Sequence, residues 1–152
     1  MNKYGFIRVA AAVPEVRVAD VEFNTDEIIR LFNAACENNA YAVVFPELCI
    51  TGYSCQDLFL TDTLIQGAYN GLKRIADASA GKSAAAVVGM PVSDGIHLYN
   101  CAVVVQNGKI LGAVPKTYLP NYSEFYEQRW FYGAENIKND SVNILGCDVP
   151  FG

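Results

Sequence analysis

The chain has 152 residues, 52% of them hydrophobic and 18% charged, which is the composition of one globular domain and not of a disordered segment. Its net charge is −5 and its 11 basic residues are scattered, which argues against a nucleic-acid partner. No apolar run approaches the ~18 residues that a membrane span requires, and the first residues lack the layout of a signal peptide, so we expect no membrane partner.

The cysteines also limit the possible classes of protein. They lack the paired short spacing of a disulfide framework or a zinc site, and the chain has a single histidine. The five are Cys36, Cys49, Cys55, Cys101 and Cys147. We therefore expect reduced thiols, a cytoplasmic location and no metal site.

The first part of the chain predicts a strand–helix–strand unit. Residues 6–13 are apolar apart from one arginine and predict the first strand. Asn24-Thr25-Asp26-Glu27 has the pattern of a capping box, and an amphipathic stripe over residues 28–36 follows it, ending at Asn38-Asn39. Residues 41–45 predict the second strand. This order implies a parallel pair of strands with a right-handed crossover.

The next part of the chain changes from parallel to antiparallel pairing. A loop through residues 53–60 precedes a second amphipathic helix over residues 64–76, and residues 84–90 predict a third strand that ends at Pro91. Asn107-Gly108 lies between two further apolar runs and is a strong type I′ hairpin pattern. We therefore predict an α/β fold with a mixed sheet and helices on one or both faces.

The last part of the chain has little periodicity. Residues 116–138 form an aromatic loop, and a loop longer than about 15 residues is usually functional or disordered. Its many aromatic residues favour an ordered functional loop. Residues 142–145 predict one more strand, after which the sheet still lacks partners, so we expect the chain to stop in mid-domain. An apolar face exposed in this way would promote self-association.

Glu47 is the first candidate for a chemical role. The strand before it is an unbroken apolar run, which is typical of a strand buried on both faces, and Pro46 cannot donate to a sheet ladder. Glu47 is thereby placed at the carboxyl end of a buried strand, where open α/β sheets bind their ligands. Burial there disfavours a charged carboxylate unless it finds a partner.

Lys116 is the candidate partner, because it follows Pro115 as Glu47 follows Pro46. If the two converge at one edge of the sheet, the ammonium can polarise a carbonyl while the carboxylate accepts a proton. A structural ion pair and two unrelated surface groups are the alternatives. Glu124, in the aromatic loop, either positions Lys116 or is solvated. Tyr53 and Tyr122 are candidates for the walls of a small polar pocket.

Two runs of sequence surround these residues and carry a family resemblance. They are Phe-Pro-Glu-Leu-Cys-Ile-Thr-Gly-Tyr at residues 45–53 and Gly-Lys-Ile-Leu-Gly-Ala-Val-Pro-Lys at residues 108–116. Both resemble the nitrilase, or carbon–nitrogen hydrolase, superfamily. Together with residues 54–59 and 117–127, they are similar to the amino-terminal glutaminase domains of glutamine-dependent NAD synthetases.

The resemblance covers essentially the whole chain and implies its fold and domain organisation. It implies a nitrilase-like α-β-β-α sandwich with mixed sheets, here truncated before the last strands and the nucleophile. Residues 1–152 would then be the N-terminal part of a glutaminase domain, with the synthetase domain absent from this chain.

The resemblance also implies roles for individual residues. Glu47 matches the general base, Lys116 the lysine that stabilises the oxyanion, and Glu124 the second acid. Tyr53, Tyr122 and Phe125 stand where residues of an amide-substrate pocket are expected. The nucleophile is a cysteine in a Glu-Ile-Cys-Glu-like motif, and none of the five cysteines has those neighbours. The isolated chain is therefore expected to be inactive.

The implied reaction is hydrolysis of L-glutamine. The ammonia would be used by the synthetase domain, with ATP and Mg²⁺, to amidate deamido-NAD to NAD. No cofactor is expected in the glutaminase part, and the expected partners are glutamine and the synthetase domain, within a homo-oligomer. Two alternatives remain: another nitrilase-type amidase, acting on an ω-amide or a carbamoyl compound, and a non-catalytic assembly domain.

Overall fold

A single mixed sheet forms the centre of the computed structural model, which describes residues 5–152. Its strands lie in the order β1-β2-β3-β4-β5. They are β1 Val9–Ala11, β2 Ala42–Val44, β3 Ala85–Ser93, β4 Leu98–Gln106 and β5 Lys109–Pro115. The first three run parallel, whereas β3, β4 and β5 pair antiparallel. The predicted α/β class with a mixed sheet is confirmed.

Two helices pack on one face of this sheet, α1 Val21–Glu37 and α2 Asp62–Ser79. Their buried apolar stripes form one core with the alternate residues of β3 and β4, because successive side chains of a strand point to opposite faces. The helix predicted over residues 64–76 is thus confirmed. Within residues 5–152, neither helix is long and apolar enough to cross a membrane.

The predicted start of α1 is wrong. The helix begins at Val21, one turn earlier than expected, and the Asp20 carboxylate caps it by accepting a first-turn N–H. Asn24 is fully buried within the helix, where its side chain bonds the backbone of Arg17 and donates to the carbonyl of Ile50. The polar residue that resembled a cap therefore ties α1 to the turn that follows β2.

The predicted strand ends also differ from the observed ones. β1 and β2 are shorter than residues 6–13 and 41–45, and β3 continues through Pro91 to Ser93. Since β2 pairs with β3 only as far as Val87, the later part of β3 pairs with β4 alone. A proline is tolerated in a strand whose second side is unpaired.

Two hairpins have turns in which both central residues have positive φ. Asn107 and Gly108 have φ values of 49° and 77°, both positive as a type I′ turn requires, so that prediction is confirmed. Beyond the aromatic loop, β6 Ser141–Ile144 pairs with β7 Cys147–Pro150. The sequence predicted a strand at residues 142–145 but not its partner. Phe151 then bridges to β5 in a parallel sense.

The face of the sheet opposite the helices is apolar and partly open to solvent. Val9, Val44 and Val114 point to it with 63%, 49% and 52% of their surface exposed. The residues registered between them are mostly alanine, valine and glycine. Such a face suits the self-association expected from the sequence, which stays a prediction.

One close approach places the turn after β2 on top of β3. A Cβ atom added to Gly89 would lie 2.5 Å from the carbonyl oxygen of Pro46 and closer still to the amide nitrogen of Leu48. The Ile50 N–H also donates to the Gly89 carbonyl, at 3.3 Å. The backbone on either side of Glu47 therefore rests directly on β3, where only a residue without a side chain fits.

The substitution Gly89→Ala tests this contact. The added methyl group would meet backbone atoms that cannot rotate away, so we expect a loss of about 1–3 kcal/mol in the free energy of unfolding. Urea unfolding of the variant and the parent chain measures it. The matched control is Gly67→Ala within α2, which should be neutral or stabilising because its new methyl group would lie at an ordinary contact distance of 3.6 Å from the Val21 side chain of α1. Equal stability of Gly89→Ala and the parent would contradict the close approach.

Candidate active site

Two strand ends deliver Glu47 and Lys116 to the same rim of the sheet. Glu47 follows β2 in the turn that rests on Gly89, and Lys116 follows the last residue of β5. The Lys116 ammonium nitrogen lies 2.8 Å from Oε1 of Glu47. The structure therefore brings together Glu47 and Lys116, each of which follows a proline.

A second carboxylate completes the cluster. Both oxygens of Glu127 lie close to the Lys116 nitrogen, Oε2 at 3.0 Å and Oε1 at 3.1 Å. Glu127 is only 2% exposed, and the Tyr53 hydroxyl donates to its Oε1 at 2.6 Å. An ammonium and a phenol thus satisfy a carboxylate that would otherwise be buried without partners.

Asn100 joins the two strand ends through β4. Its side-chain amide donates to Oε1 of Glu47, and its backbone carbonyl accepts a hydrogen bond from the backbone N–H of Lys116 at 2.8 Å. Asn100 is almost fully buried. One residue of the central sheet therefore fixes both Glu47 and the backbone of Lys116.

The surroundings keep Lys116 and Tyr53 protonated. Burial acts to lower the pKa of Lys116, but its hydrogen bonds and attraction to Glu47 and Glu127 outweigh it, so the pKa is raised. Burial raises the pKa of Tyr53, and the hydrogen bond to Glu127 raises it further. At neutral pH the cluster thus presents an ammonium and a neutral phenol.

The structure does not bring Glu124, predicted to be the second acid, to Lys116. Its side chain is exposed to solvent, and its hydrogen bond with Ser123 lowers its pKa. Glu127 takes the position beside Lys116, because the short turn Glu127–Arg129 begins there and the Glu127 N–H donates to the carbonyl of Pro120. This turn directs Glu127 inward.

The predicted pocket residues are placed differently from one another. Tyr53 belongs to the cluster through its hydrogen bond to Glu127. Tyr122 and Phe125 pack edge to face with ring centroids 5.8 Å apart, and Tyr122 is 69% exposed.

Sequence reasoning missed Glu127 and Asn100. A polar amide directly before the apolar run of β4 was the available signal for Asn100.

A cleft of about 330 Å³ opens beside the cluster on the apolar face of the sheet. Glu47, Asn100 and Lys116 line its polar end, whereas Val44 and Val114 line its apolar side. A carboxylate and an ammonium at the polar end supply a proton acceptor and a stabiliser of negative charge for a small polar substrate. Among residues 5–152, no group of acidic, histidine or cysteine side chains could hold a metal ion.

The environment of the three buried cysteines argues against any of them being the attacking thiol. All five are free thiols. Burial raises the pKa of Cys49 to about 12 and also raises those of Cys55 and Cys101. A buried thiol of raised pKa is a poor nucleophile at neutral pH, since the thiolate is the reactive form. Cys36 lies in α1 and Cys147 is exposed on β7.

Comparison with known proteins gives one matching family and a consistent group of relatives. A family profile described as carbon-nitrogen hydrolase matches residues 8–135. The glutamine-dependent NAD(+) synthetase of Mycobacterium tuberculosis is 37% identical over 150 residues, which are 99% of this chain and 22% of that protein. The enzyme of the same name from Xanthomonas campestris is 39% identical over 144 residues, covering 94% of this chain and 26% of its own length. The chain thus spans only part of the relatives it matches.

Solved structures agree with this comparison. A glutamine-dependent NAD(+) synthetase from Cytophaga hutchinsonii superposes with a TM-score of 0.89 at 32% identity, over 96% of this chain and 25% of that one. An amidase of the nitrilase superfamily from Nesterenkonia gives a TM-score of 0.70 at 22% identity, over 89% of this chain and 50% of the amidase. The likeness to the amidase shows a shared fold.

The charge of Lys116 predicts a specific dependence of stability on pH. Its folded pKa is raised above the unfolded value of about 10.4, so its contribution is present below that pH and is lost as the pH rises through the folded pKa. We expect Lys116→Met to cost about 2–3 kcal/mol at pH 7–9. The cost should be less than for a fully buried pair, because the Lys116 side chain is 28% exposed.

Urea unfolding at a series of pH values checks this expectation. The difference between the parent chain and Lys116→Met should shrink above a pH of about 10.5 as the lysine loses its proton. Lys109→Met, at an exposed lysine of β5, is the control and should change stability by less than about 0.5 kcal/mol. A difference that stays constant through this range would mean that the ammonium does not hold the cluster.

Proposed function

The chain belongs to the carbon–nitrogen hydrolase family, and on that basis we propose that it is part of the glutamine-hydrolysing domain of a glutamine-dependent NAD synthetase. The predicted nitrilase-like fold is shown by the family match and the solved relatives. The observation that carries the proposal is the position of Lys116 between Glu47 and Glu127 at the end of an open cleft. The names and sequences of the relatives support glutamine as the substrate.

The proposed reaction divides the chemistry between these side chains. Glu47 takes the proton of a cysteine thiol, the resulting thiolate attacks the side-chain amide carbon of glutamine, and Lys116 stabilises the oxyanion that forms. Glu47 transfers a proton to the leaving nitrogen, so ammonia departs and a thioester remains. Glu47 then takes a proton from water, which cleaves the thioester to glutamate and regenerates the thiol. The buried Glu127 holds Lys116 in position for both steps.

The thiol is proposed to come from outside this chain segment. The high pKa values of the buried cysteines and the missing Glu-Ile-Cys-Glu-like sequence support that assignment. The 152-residue chain alone is then inactive toward glutamine. Tyr53, Tyr122 and Phe125 are proposed to form the walls of the glutamine pocket, and the position of Tyr53 within the cluster supports its part of this proposal.

The ammonia is proposed to serve a synthetase domain of the same protein. With ATP and Mg²⁺ bound there, that domain would amidate deamido-NAD to NAD, in a homo-oligomeric enzyme of the cytoplasm. The glutaminase part would need no cofactor. The relatives support the proposed synthetase domain alone, since each carries the name glutamine-dependent NAD(+) synthetase and is several times longer than this chain.

Glutamate release from L-glutamine by the longest natural form of the protein tests the proposal. Glu47→Gln should lower kcat by about 10²- to 10⁴-fold, because the general base is lost. Glu127→Gln should also lower it strongly, whereas Glu124→Gln should retain most of the activity because its side chain faces solvent. A strong loss in Glu124→Gln with most activity retained in Glu127→Gln would instead favour Glu124, the acid chosen from the sequence.

The other outcomes separate the competing functions. A preference for a different ω-amide or for a carbamoyl compound would identify another nitrilase-type amidase. No hydrolysis, together with no cysteine labelled by a glutamine-like electrophile, would indicate a non-catalytic assembly domain. Glutamine hydrolysis by residues 1–152 above the Glu47→Gln background would overturn the proposed origin of the thiol.

A further inference from the structure

The surface segment after the Glu47 turn contains an aspartate with an unusual number of partners. Tyr53–Leu60 forms 3-10 turns interrupted at Gln56. Within it, the Asp57 carboxylate accepts from Nε of Arg129 at 2.7 Å and from Nη2 of the same side chain at 2.8 Å. The indole N–H of Trp130 donates to Asp57 as well, at 2.9 Å. The arginine pair is bidentate, which fixes orientation as well as distance.

These contacts join the segment to the turn that carries Glu127. Arg129 is the last residue of that turn, and Trp130 follows it. Tyr53, from the same segment as Asp57, donates to Glu127 on the inside. The two segments are therefore linked twice, once at the buried cluster and once at the surface.

Aromatic packing fills the space between the two links. Phe59 packs edge to face on Phe131 with ring centroids 4.9 Å apart, and the Trp130 ring lies 5.9 Å from Phe59. This packing holds the two segments together, but apolar contacts specify orientation less strictly than hydrogen bonds do. The hydrogen bonds of Asp57 supply the missing direction.

We propose that Asp57 is a positioning residue that holds Glu127 against Lys116 by fixing Arg129 and Trp130. Asp57 and Arg129 are 60% and 55% exposed, and an ion pair so exposed contributes little to stability. Its effect is geometric, since the hydrogen bonds between Glu127 and Lys116 are lost if the turn moves by about an ångström. The inference rests on the proposed function only in taking Lys116 as the group that must be held.

NMR of the 152-residue chain tests the proposal without an activity assay. The chain has a single tryptophan, so the indole N–H resonance of Trp130 reports directly on the contact with Asp57. Lysine labelled with ¹⁵N gives the pKa of the Lys116 ammonium, with Lys116→Met identifying its resonance. In Asp57→Ala we expect the indole resonance to shift and the pKa of Lys116 to fall toward its ordinary value of about 10.4.

The matched control is Asp77→Ala, which removes an equally exposed ion pair with Lys73 on α2. It should leave both the indole resonance and the pKa of Lys116 unchanged. If Asp57→Ala fails to fold, Arg129→Met removes the same link from the other side and replaces it in the test. A shifted indole resonance with an unchanged pKa of Lys116 would overturn the proposal and make the link a surface ion pair. That result would leave glutamine hydrolysis and its dependence on Glu47 untouched.

Discussion

A buried carboxylate must find a positive partner, and this requirement organises the rim of the sheet. Glu127 has 3% of its side chain exposed, and Lys116 supplies the charge that makes such burial tolerable. Glu47 shares the same ammonium but is 40% exposed and faces the cleft. The two acids therefore differ in their surroundings: the buried one holds the lysine, and the open one is accessible from the cleft.

The fold builds this cluster from parts that are distant in sequence. The turn carrying Glu47 is held against β3 at Gly89, and Asn100 of β4 reaches both Glu47 and the backbone of Lys116. The aromatic loop returns Glu127 to the same place. A central sheet supplies the strand ends that place Glu47 and Lys116, whereas the loop supplies Glu127, as is common for sites built on α/β scaffolds.

The sequence predicted the site residues that directly follow strands better than those in the aromatic loop. Glu47 and Lys116 each follow a proline that ends an apolar run, and that pattern has a direct structural consequence. Glu124 and Glu127 lie in the same aperiodic loop, where no spacing rule distinguishes an inward from an outward side chain. The position of Asn24 differs for a related reason. Its sequence pattern predicts a helix cap, but its side chain instead donates hydrogen bonds to the carbonyls of Arg17 and Ile50.

The cluster depends on energetic coupling between Lys116 and Glu127, and a double-mutant cycle measures this coupling directly. Lys116→Met, Glu127→Gln and the double variant would be compared with the parent chain by urea unfolding at pH 7. We expect a coupling free energy of more than about 1 kcal/mol, as for residues of one hydrogen-bonded ion cluster. Losses that add to within about 0.5 kcal/mol would contradict this coupling, because they would show that the two side chains do not depend on each other.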